Sequence, residues 1–397
     1  MADISYRLSR ASSGLKRSVM RDLLSLAVSP NLISFAGGLP AADCLPLDQF
    51  RACVDDVLRR DGARALQYSP PLQPLRDWLA AYMRSRGVEC TADSIFITNG
   101  AQQGLAILAR LFLDPGDAAV IEEVTFTGVR QVVDAQGASI VTIPTDLATG
   151  ADVDALEAAF TRSPKPRLAI LITDFHNPLG VSLSADKREQ IAALAAKHAV
   201  PIVEDDPYSA LRYAGAALPP IKAFDSAGAI IYVGSFSKML APAVRLGWLV
   251  APAALLPRIT VLRESFDLES SSLMQRAVFE FLSRGYLEPH LARLNAANSE
   301  RQAALLAALR VHLGDIAHWT QPEGGLFVWV TLPDGVDTWA TFEAAVARQV
   351  AYIPGAAFAV NGGQRNTLRL NYSNVKPEAI EEGVRRLAEV VREQVPV

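Results

Sequence analysis

Short apolar segments recur through the middle of the sequence, and they constrain the fold more than any other feature. They are AAVIEEV (118–124), SIVTIP (139–144), LAILIT (168–173), VPIVEDD (200–206), AIIYVGS (229–235) and LGWLVAP (246–252). Each is bounded by Gly, Pro, Asp or Ser, as is typical of strands that are buried on both faces of a parallel sheet. Helical patterns such as SADKREQIAALAAKHA (184–199) separate them. This alternation predicts a large, doubly wound, mostly parallel α/β sheet domain.

The sequence has 397 residues, which is more than one hydrophobic core of about 250–300 residues usually holds. Residues 1–45 are interpreted as an N-terminal arm that ends in the Gly- and Pro-rich FAGGLP. We expect a large domain over residues 46–285. The long helical pattern after residue 265 predicts a linker helix. Residues 286–397 mix strand and helix patterns, which predicts a smaller α+β domain.

Composition argues against several classes of function. The net charge is −4 and no basic block stands out, so nucleic acid is not an expected partner. The N-terminus lacks the apolar core of a signal peptide, and no apolar run reaches the roughly 20 residues of a membrane helix. Cys44, Cys53 and Cys90 are odd in number and form no C-x-x-C motif, which predicts reduced thiols and a cytoplasmic location. The five histidines lack metal-ligand spacing, so no metal site is expected.

Two cations lie between two of the predicted strands. Lys238 follows the strand that ends near Gly234, and Arg245 comes before the next strand, with Ser235 and Ser237 close by. A loop lysine is ordinarily exposed and without function. Hydroxyls and a guanidinium around the same connection, however, are a phosphate-binding combination. A lysine beside a phosphate site suggests a Schiff base to pyridoxal phosphate.

Pyridoxal phosphate requires a carboxylate near its ring nitrogen. The segment EDDPY (204–208) follows a predicted strand and supplies Glu204, Asp205 and Asp206, with Tyr208 shortly after. We favour Asp205 as the partner of the nitrogen and Tyr208 as a neighbour of the phenolic oxygen of the ring. The alternative is a solvated acidic turn, which is the expected reading for Asp206 and remains open for all three carboxylates.

The other features that such a site needs occur at further segment ends. Asn177 could donate to the ring oxygen, although N-P-x-G is also an ordinary turn. Ala101 and Gln102 open a predicted helix whose N-terminus could meet the phosphate. Phe126 could cover the ring, although a lone Phe is more often a core residue. Arg369 lies inside an apolar strand, which suggests that it binds a substrate carboxylate or forms a buried salt bridge.

With these motifs the sequence resembles the fold type I, pyridoxal-phosphate-dependent class I/II aminotransferases over nearly its whole length. It looks most similar to the subgroup of 2-aminoadipate, kynurenine and multi-substrate aminotransferases. The matching segments are SFSKMLAPAVRLGW (235–248), EDDPY (204–208), DFHNPLG (174–180), NGAQQGL (99–105), EEVTF (122–126), LRLNY (368–372) and ISFAGGLP (33–40). The resemblance implies the fold type I architecture and a cofactor bound to Lys238.

The resemblance also implies roles for individual residues. Cofactor contacts are implied for Ala101, Gln102, Phe126, Asn177, Asp205, Tyr208, Ser235, Ser237 and Arg245. Arg369 and Asn177 would bind the substrate, and Gly38 would lie near it. Tyr68 would reach the phosphate in a neighbouring subunit, which implies a homodimer with shared sites. Arg21 could contact an acidic substrate side chain, or it could be an exposed residue of an amphipathic helix.

The implied activity is transfer of the α-amino group of an L-amino acid to a 2-oxo acid, expected to be 2-oxoglutarate, by a ping-pong mechanism. The alternatives are a pyridoxal-phosphate-dependent lyase, decarboxylase or racemase, and a non-catalytic aminotransferase-like sensor domain. The chain departs from the family pattern at His176, where Gln is frequent, and at Phe126, where Tyr is frequent. The loop after Tyr68 is also shorter than usual, which leaves the substrate's side chain open.

Overall fold

The computed structural model describes residues 31–394. Its strands are β1 (Ile33–Ser34), β2 (Ile95–Thr98), β3 (Ala118–Glu122), β4 (Ser139–Ile143), β5 (Thr145–Asp146), β6 (Gly150–Ala151), β7 (Leu168–Ile172), β8 (Ile202–Asp206), β9 (Ile230–Ser235), β10 (Gly247–Val250), β11 (His318–Trp319), β12 (Phe327–Thr331), β13 (Val350–Ala351), β14 (Ile353–Pro354) and β15 (Thr367–Asn371). Its α-helices are α1 (Leu47–Asp61), α2 (Gln73–Ser85), α3 (Ala101–Phe112), α4 (Thr127–Asp134), α5 (Val153–Phe160), α6 (Ala185–His198), α7 (Phe236–Met239), α8 (Leu256–Glu264), α9 (Ser272–Ser283), α10 (Leu287–Leu313), α11 (Phe342–Ala347) and α12 (Pro377–Arg392).

A seven-stranded sheet forms the larger part of the fold, in the order β2-β10-β9-β8-β7-β3-β4. All neighbouring strands are parallel except β10, which runs antiparallel to both β2 and β9. Residues 236–246 join β9 to β10, and this connection is shorter than the roughly dozen residues that a parallel crossover needs. The predicted large, mostly parallel α/β sheet is therefore confirmed, with β10 as its reversed strand.

Strand β9 illustrates why the strands are apolar throughout. Ile231 and Val233 pack on one face of the sheet with side chains of α3, α4 and α8. Ile230 and Tyr232 face the opposite side, where α2, α5, α6 and α9 pack. Because both faces are covered by helices, the strand has no solvent-facing positions and lacks the polar alternation of a one-sided sheet.

A second sheet of four antiparallel strands has the order β11-β12-β15-β14. Helices α10 and α12 pack against it around a separate apolar core that includes Trp329. The short strand β1 pairs with β13 beside this sheet. The proposed division of the chain at residues 45 and 285 stays a prediction. Within the part of the chain that the structure describes, none of the helices combines the length and apolar character needed to cross a bilayer.

The carboxyl ends of β2, β7, β8 and β9 lie at the same edge of the large sheet, because these strands run in the same direction. Strand β15 of the second sheet carries Arg369, which lies opposite Trp329 of β12 and Ile353 of β14. Ligands of open α/β sheets bind beyond the carboxyl ends of the strands. The fold therefore puts the edge that carries Lys238 next to Arg369 of the second sheet.

Candidate active site

A cleft of about 240 Å³ lies at the carboxyl edge of the large sheet. Most of the residues that the sequence predicted for the site line it: Gly38, Ala101, Gln102, Phe126, Asn177, Asp205, Tyr208, Ser235, Ser237, Lys238, Arg245 and Arg369. These residues come from both sheets and from segments more than 300 residues apart in the chain. The sequence predicted these side chains separately, segment by segment, and the structure shows that they lie together.

Lys238 lies in α7, a single helical turn that follows β9 directly. Its Nζ donates a hydrogen bond of 2.7 Å to the carbonyl oxygen of Gly38. Burial lowers the pKa of the Lys238 ammonium to about 8, and the nearby cations of Arg369 and Arg245 act in the same direction. A lysine in this state can act as a nucleophile or a proton acceptor near neutral pH.

The serines beside Lys238 fix the start of α7. Oγ of Ser235 accepts a hydrogen bond of 3.1 Å from the backbone N–H of Ser237, so Ser235 is the N-cap of this turn. Arg245 has a left-handed backbone conformation with a φ of 49°, and its side chain is exposed at the mouth of the cleft. Its guanidinium donates to the carbonyl oxygens of Asn99 and Pro242 at 3.1 Å and 3.3 Å.

Helix α3 starts at the same end of the cleft. Gly100 precedes it with a φ of 83°, and a Cβ at that position would lie 2.9 Å from Nη2 of Arg245. Glycine is therefore the residue that lets the backbone turn into the helix beside this guanidinium. The first backbone N–H groups of α3, at Ala101 and Gln102, have no acceptor within the helix and favour an anion there. Hydroxyls, a guanidinium and a helix N-terminus thus surround one end of the cleft.

Asp205 lies in β8 and is almost completely buried. Its Oδ1 has no hydrogen-bond partner among residues 31–394. Burial raises the pKa of the Asp205 carboxyl to about 7, and the negative charges of Asp206 and Glu122 raise it as well. A buried carboxylate oxygen without a partner is costly, and a cationic N–H group in the cleft would satisfy it.

The alternative of a solvated acidic turn at EDDPY, expected for Asp206 and open for the other two carboxylates, was wrong. Glu204, Asp205 and Asp206 all belong to β8 and are at most 3% exposed. Asp206 forms an ion pair of 2.9 Å with Arg86, and this cation lowers the pKa of the Asp206 carboxyl despite its burial. Glu204 accepts hydrogen bonds from the backbone N–H groups of residues 221 and 222. Each carboxylate on the flanks of Asp205 therefore has its own structural partner.

Arg369 is fully buried and faces the cleft without an ionic partner in the described part of the chain. It donates 2.8 Å to Oδ1 of Asn177 and 2.6 Å to the carbonyl oxygen of Ala36. Burial lowers the pKa of the Arg369 guanidinium to about 10, and its Nε has no hydrogen-bond partner within residues 31–394. The alternative of a buried salt bridge is not what the described residues form, and a ligand carboxylate would compensate this charge.

Asn177 and Tyr208 lie between Arg369 and the large sheet. The Nδ2 of Asn177 is 3.4 Å from the Tyr208 hydroxyl, and burial raises the pKa of that phenol. Phe126 lies immediately before α4 and presents its ring to the cleft. The side-chain amide of Gln102 donates 3.0 Å to the carbonyl oxygen of Gly128 in the first turn of α4.

The predicted roles of Tyr68 and Arg21 are not tested by this cleft. Tyr68 is 78% exposed and lines a separate surface groove formed by residues 65–69 and 269–273. Arg21 lies outside the described residues. The structure therefore leaves the predicted role of each of these side chains as a prediction.

The sequence analysis missed four apolar residues of the lining: Leu105, Ile172, Pro207 and Pro242. Pro207 and Pro242 stand within a few residues of Tyr208 and Arg245, and Leu105 lies one helical turn after Ala101. Their closeness to predicted residues was the available signal, because their residue types are ordinary for a core.

Comparisons with known proteins identify the family of the chain. The family model for aminotransferase class I and II matches residues 43–387. The chain is 38% identical over 400 residues to aromatic-amino-acid aminotransferase 1 of Thermococcus litoralis, in an alignment that covers 99% of this chain and 96% of that relative. The structure of kynurenine aminotransferase from Pyrococcus horikoshii aligns with a TM-score of 0.93 at 34% identity and 98% coverage of each chain. LysN, the α-aminoadipate aminotransferase of Thermus thermophilus solved with N-(5'-phosphopyridoxyl)-L-leucine, aligns with a TM-score of 0.90 at 34% identity, covering 98% of this chain and 97% of that one.

The residues of the cleft fit pyridoxal phosphate. The unpartnered oxygen of Asp205 is a site for a protonated ring nitrogen, and the end of the cleft at Ser235, Ser237 and Arg245 offers donors for a phosphate dianion. The amine of Lys238 lies on the same wall, where it can react with an aldehyde. Sequence, fold and donor set agree, and the chain belongs to the class I and II aminotransferases and is a pyridoxal-phosphate-dependent transaminase.

Proposed function

We propose that the protein moves the α-amino group of an L-amino acid to 2-oxoglutarate, with the first product leaving before the second substrate binds. The observation that carries this proposal is the convergence on one cleft of three incompletely paired groups, two of them fully buried and one half-buried. They are the Lys238 amine, the Asp205 carboxylate and the Arg369 guanidinium. A structural role would have given each of these groups a partner within the fold.

We propose that the cofactor is held at three points. Ser235, Ser237, Arg245 and the first N–H groups of α3 at Ala101 and Gln102 would hold its phosphate. Asp205 would hold the protonated ring nitrogen, Asn177 and Tyr208 the phenolic oxygen, and Phe126 would cover one ring face. When bound, pyridoxal phosphate accepts the amino group and withdraws electrons from the substrate Cα.

Lys238 is proposed to move the proton between the substrate Cα and the acceptor carbon. Its pKa of about 8 puts a useful fraction of the amine in the neutral form near physiological pH, as a general base requires. The helical turn α7 is short and capped by Ser235, so it holds this amine at a defined place beside the cleft. A cation in contact with Asp205 would keep its carboxyl ionised, because burying an oppositely charged pair costs less free energy than burying either charge alone.

Arg369 is proposed to bind the α-carboxylate of both substrates. Its guanidinium is held by Asn177 and Ala36, and its face lies over Phe327 with the Cζ atom 4.4 Å from the ring centroid. This arrangement supports a fixed, bidentate site for a planar carboxylate. An amino acid and a 2-oxo acid share this carboxylate, so one site can serve both half-reactions.

We further propose a homodimer with shared active sites and a cytoplasmic location. Leu66, Tyr68, Phe266 and Leu268 are large apolar side chains that are exposed in the single chain. Leu66 and Tyr68 line one surface groove, and exposed apolar residues favour burial against another chain. The free state of Cys44, Cys53 and Cys90 agrees with a reducing compartment.

A panel of amino donors with 2-oxoglutarate tests the activity, with glutamate formation as the readout. We expect turnover that requires the 2-oxo acid and that Lys238→Ala abolishes, whereas Lys197→Ala, which changes an exposed lysine on α6, leaves it unchanged. Product formation without an acceptor would indicate lyase or racemase chemistry instead. Retained turnover in Lys238→Ala would refute the proposed role of this residue.

The dimer is tested separately by sedimentation of the wild type and of Leu268→Lys. We expect the wild type to sediment as a dimer and the charged variant to dissociate, because a buried lysine without a partner is strongly unfavourable at an interface. Mixing inactive Lys238→Ala with inactive Tyr68→Ala subunits then tests site sharing. Recovery of activity in the mixture is expected, and its absence would contradict a contribution of Tyr68 to the partner's site.

A further inference from the structure

Two buried ionisable side chains lie beside the cleft and have no part in the proposed chemistry. Nε2 of His176 lies 2.9 Å from Oε2 of Glu122, and each side chain is 1% exposed. Removing both groups from water costs free energy that only their hydrogen bonds recover. The hydrogen bonds that His176 and Glu122 make therefore indicate which segments of the fold the pair stabilises.

Glu122 is the last residue of β3, and its Oε2 also accepts a hydrogen bond of 3.0 Å from the backbone N–H of Ile172. Ile172 is the last residue of β7. One carboxylate oxygen thus holds both ends of the segment from residue 172 to residue 176, where the chain leaves the sheet and enters the cleft. Because Glu122 is the acceptor, Nε2 of His176 carries the hydrogen of this contact.

Asn177 follows His176 directly and forms the inner wall of the cleft. Its Oδ1 accepts 2.8 Å from Nη1 of Arg369, and its Nδ2 approaches the Tyr208 hydroxyl at 3.4 Å. Within the described residues, the guanidinium donates its other hydrogen bond to the carbonyl oxygen of Ala36. A displacement of Asn177 would remove one of the two hydrogen bonds that orient Arg369.

We propose that His176 is a positioning residue, which together with Glu122 clamps the segment before Asn177 and so fixes the orientation in which Arg369 receives a carboxylate. The proposal rests on the proposed carboxylate-binding role of Arg369. The clamp acts on the loop after β7, whereas Lys238 lies on α7 after β9. Loss of the clamp should therefore weaken carboxylate binding while leaving proton transfer by Lys238 largely intact.

A second His–Glu pair in the same chain provides a matched control. Nε2 of His198, at the end of α6, lies 3.3 Å from Oε1 of Glu157. This pair combines the same residue types in a more exposed place, Glu157 also pairs with Lys197, and neither His198 nor Glu157 lines the cleft. Its loss should affect neither carboxylate binding nor turnover.

The experiment compares His176→Leu, His176→Gln and His198→Leu in the holoenzyme. Succinate and 3-phenylpropanoate, two carboxylates without an amino group, are titrated against the visible absorbance of the bound cofactor, and KM and kcat are measured for one amino donor. His176→Leu removes the donor at similar volume. His176→Gln keeps an N–H donor that can reach Glu122.

We expect His176→Leu to raise the Kd of both carboxylates and the KM about tenfold, the loss typical of one hydrogen bond to a charged group, with kcat within about twofold. His176→Gln should restore the Kd to within about threefold of the wild-type value. The control variant His198→Leu should have the wild-type Kd and KM. A melting temperature lowered in His176→Leu with unchanged Kd and KM would overturn the inference and leave His176 a purely structural residue.

Two further variants keep the test decisive. If His176→Leu does not fold, His176→Asn takes its place, because the shorter amide does not reach Glu122; an unchanged Kd in that variant overturns the inference. Arg369→Gln tests the premise on its own. Unchanged carboxylate binding in Arg369→Gln would overturn the proposed role of Arg369 and this inference together, whereas a loss there with no effect at His176 would overturn this inference alone.

Discussion

Lys238 should be a neutral amine at a pH where an ordinary lysine is still protonated. Burial, Arg369 and Arg245 lower the pKa of its ammonium from 10.5 to about 8. Each of these causes disfavours the charged form, because the cleft replaces water around the ammonium and adds two like charges nearby. Arg369→Gln removes one of those charges and should raise the pKa, although not to 10.5, because the burial remains.

The size of the effect follows from the pKa. At pH 7.5, a pKa of about 8 leaves about a quarter of Lys238 neutral, whereas a pKa of 10.5 would leave about 0.1%. The neutral amine is the reactive form, so the reactive fraction of Lys238 at this pH is about 200-fold larger than that of an ordinary lysine. This difference is large enough to survive moderate steric protection.

Competitive acetylation of the cofactor-free protein measures this pKa directly. Trace acetic anhydride is added between pH 6.5 and 11, and the labelled peptides are quantified by mass spectrometry. Lys197, which is exposed on α6, serves as the internal reference for the reactivity of the reagent. The labelling of Lys238 should reach half of its maximum near pH 8.

A midpoint at or above pH 10 for Lys238 would refute the argument from burial and charge. An unchanged midpoint in Arg369→Gln would refute the contribution of that cation while leaving the burial effect in place. A midpoint near 8 that rises in Arg369→Gln would agree with both causes.

Further substitutions test buried residues outside the lining of the cleft. Arg86→Met leaves the Asp206 carboxylate buried without its cation and should lower the free energy of unfolding by about 3–5 kcal/mol in urea titrations; a loss below about 1 kcal/mol would contradict the pairing. Burial lowers the pKa of His290 to about 4, so between pH 6.5 and 4 the unfolded chain binds more protons and stability falls as the pH falls, by at most about 3 kcal/mol. The stability of His290→Leu should depend less on pH than that of the wild type over this window. An equal dependence would contradict the lowered pKa of His290. Gly234→Ala would bring a Cβ within 2.3 Å of the Trp248 ring. This should weaken cofactor binding in absorbance titrations, because α7, which carries Lys238, follows β9 directly. Wild-type affinity would show that the indole moves aside at little cost.

The apolar runs were sufficient to predict most of the large sheet. Strands such as β7 and β9 are covered by helices on both faces, so their burial is visible as uninterrupted hydrophobicity. The direction of β10 was not predictable in this way, because its apolar run looks the same in either orientation. The connection of residues 236–246 is too short for a parallel crossover, so β10 runs antiparallel to β9.

Most residues of the site were recognisable because they stand near the end of a predicted strand or the start of a predicted helix, and Arg369 was recognisable as a charge inside an apolar strand. Lys238 and Asn177 follow parallel strands, Asp205 lies at the end of another, and the carboxyl ends of such strands meet at one edge. The charge state of these residues was not recognisable. Asp206 looked like part of a solvated turn, and its burial against Arg86 depends on a contact across 120 residues of chain.

The sequence by itself determined the fold class, the family and the chemical types of the groups in the cleft, since these follow from local patterns and motifs. The tertiary structure decided which of those groups keep an unsatisfied charge. Asp205 and Arg369 face the cleft without an ionic partner in the described chain, whereas Asp206 and Glu122 are paired. The free energy of a buried charge depends on the few atoms around it, and these come from distant segments that only the folded chain brings together.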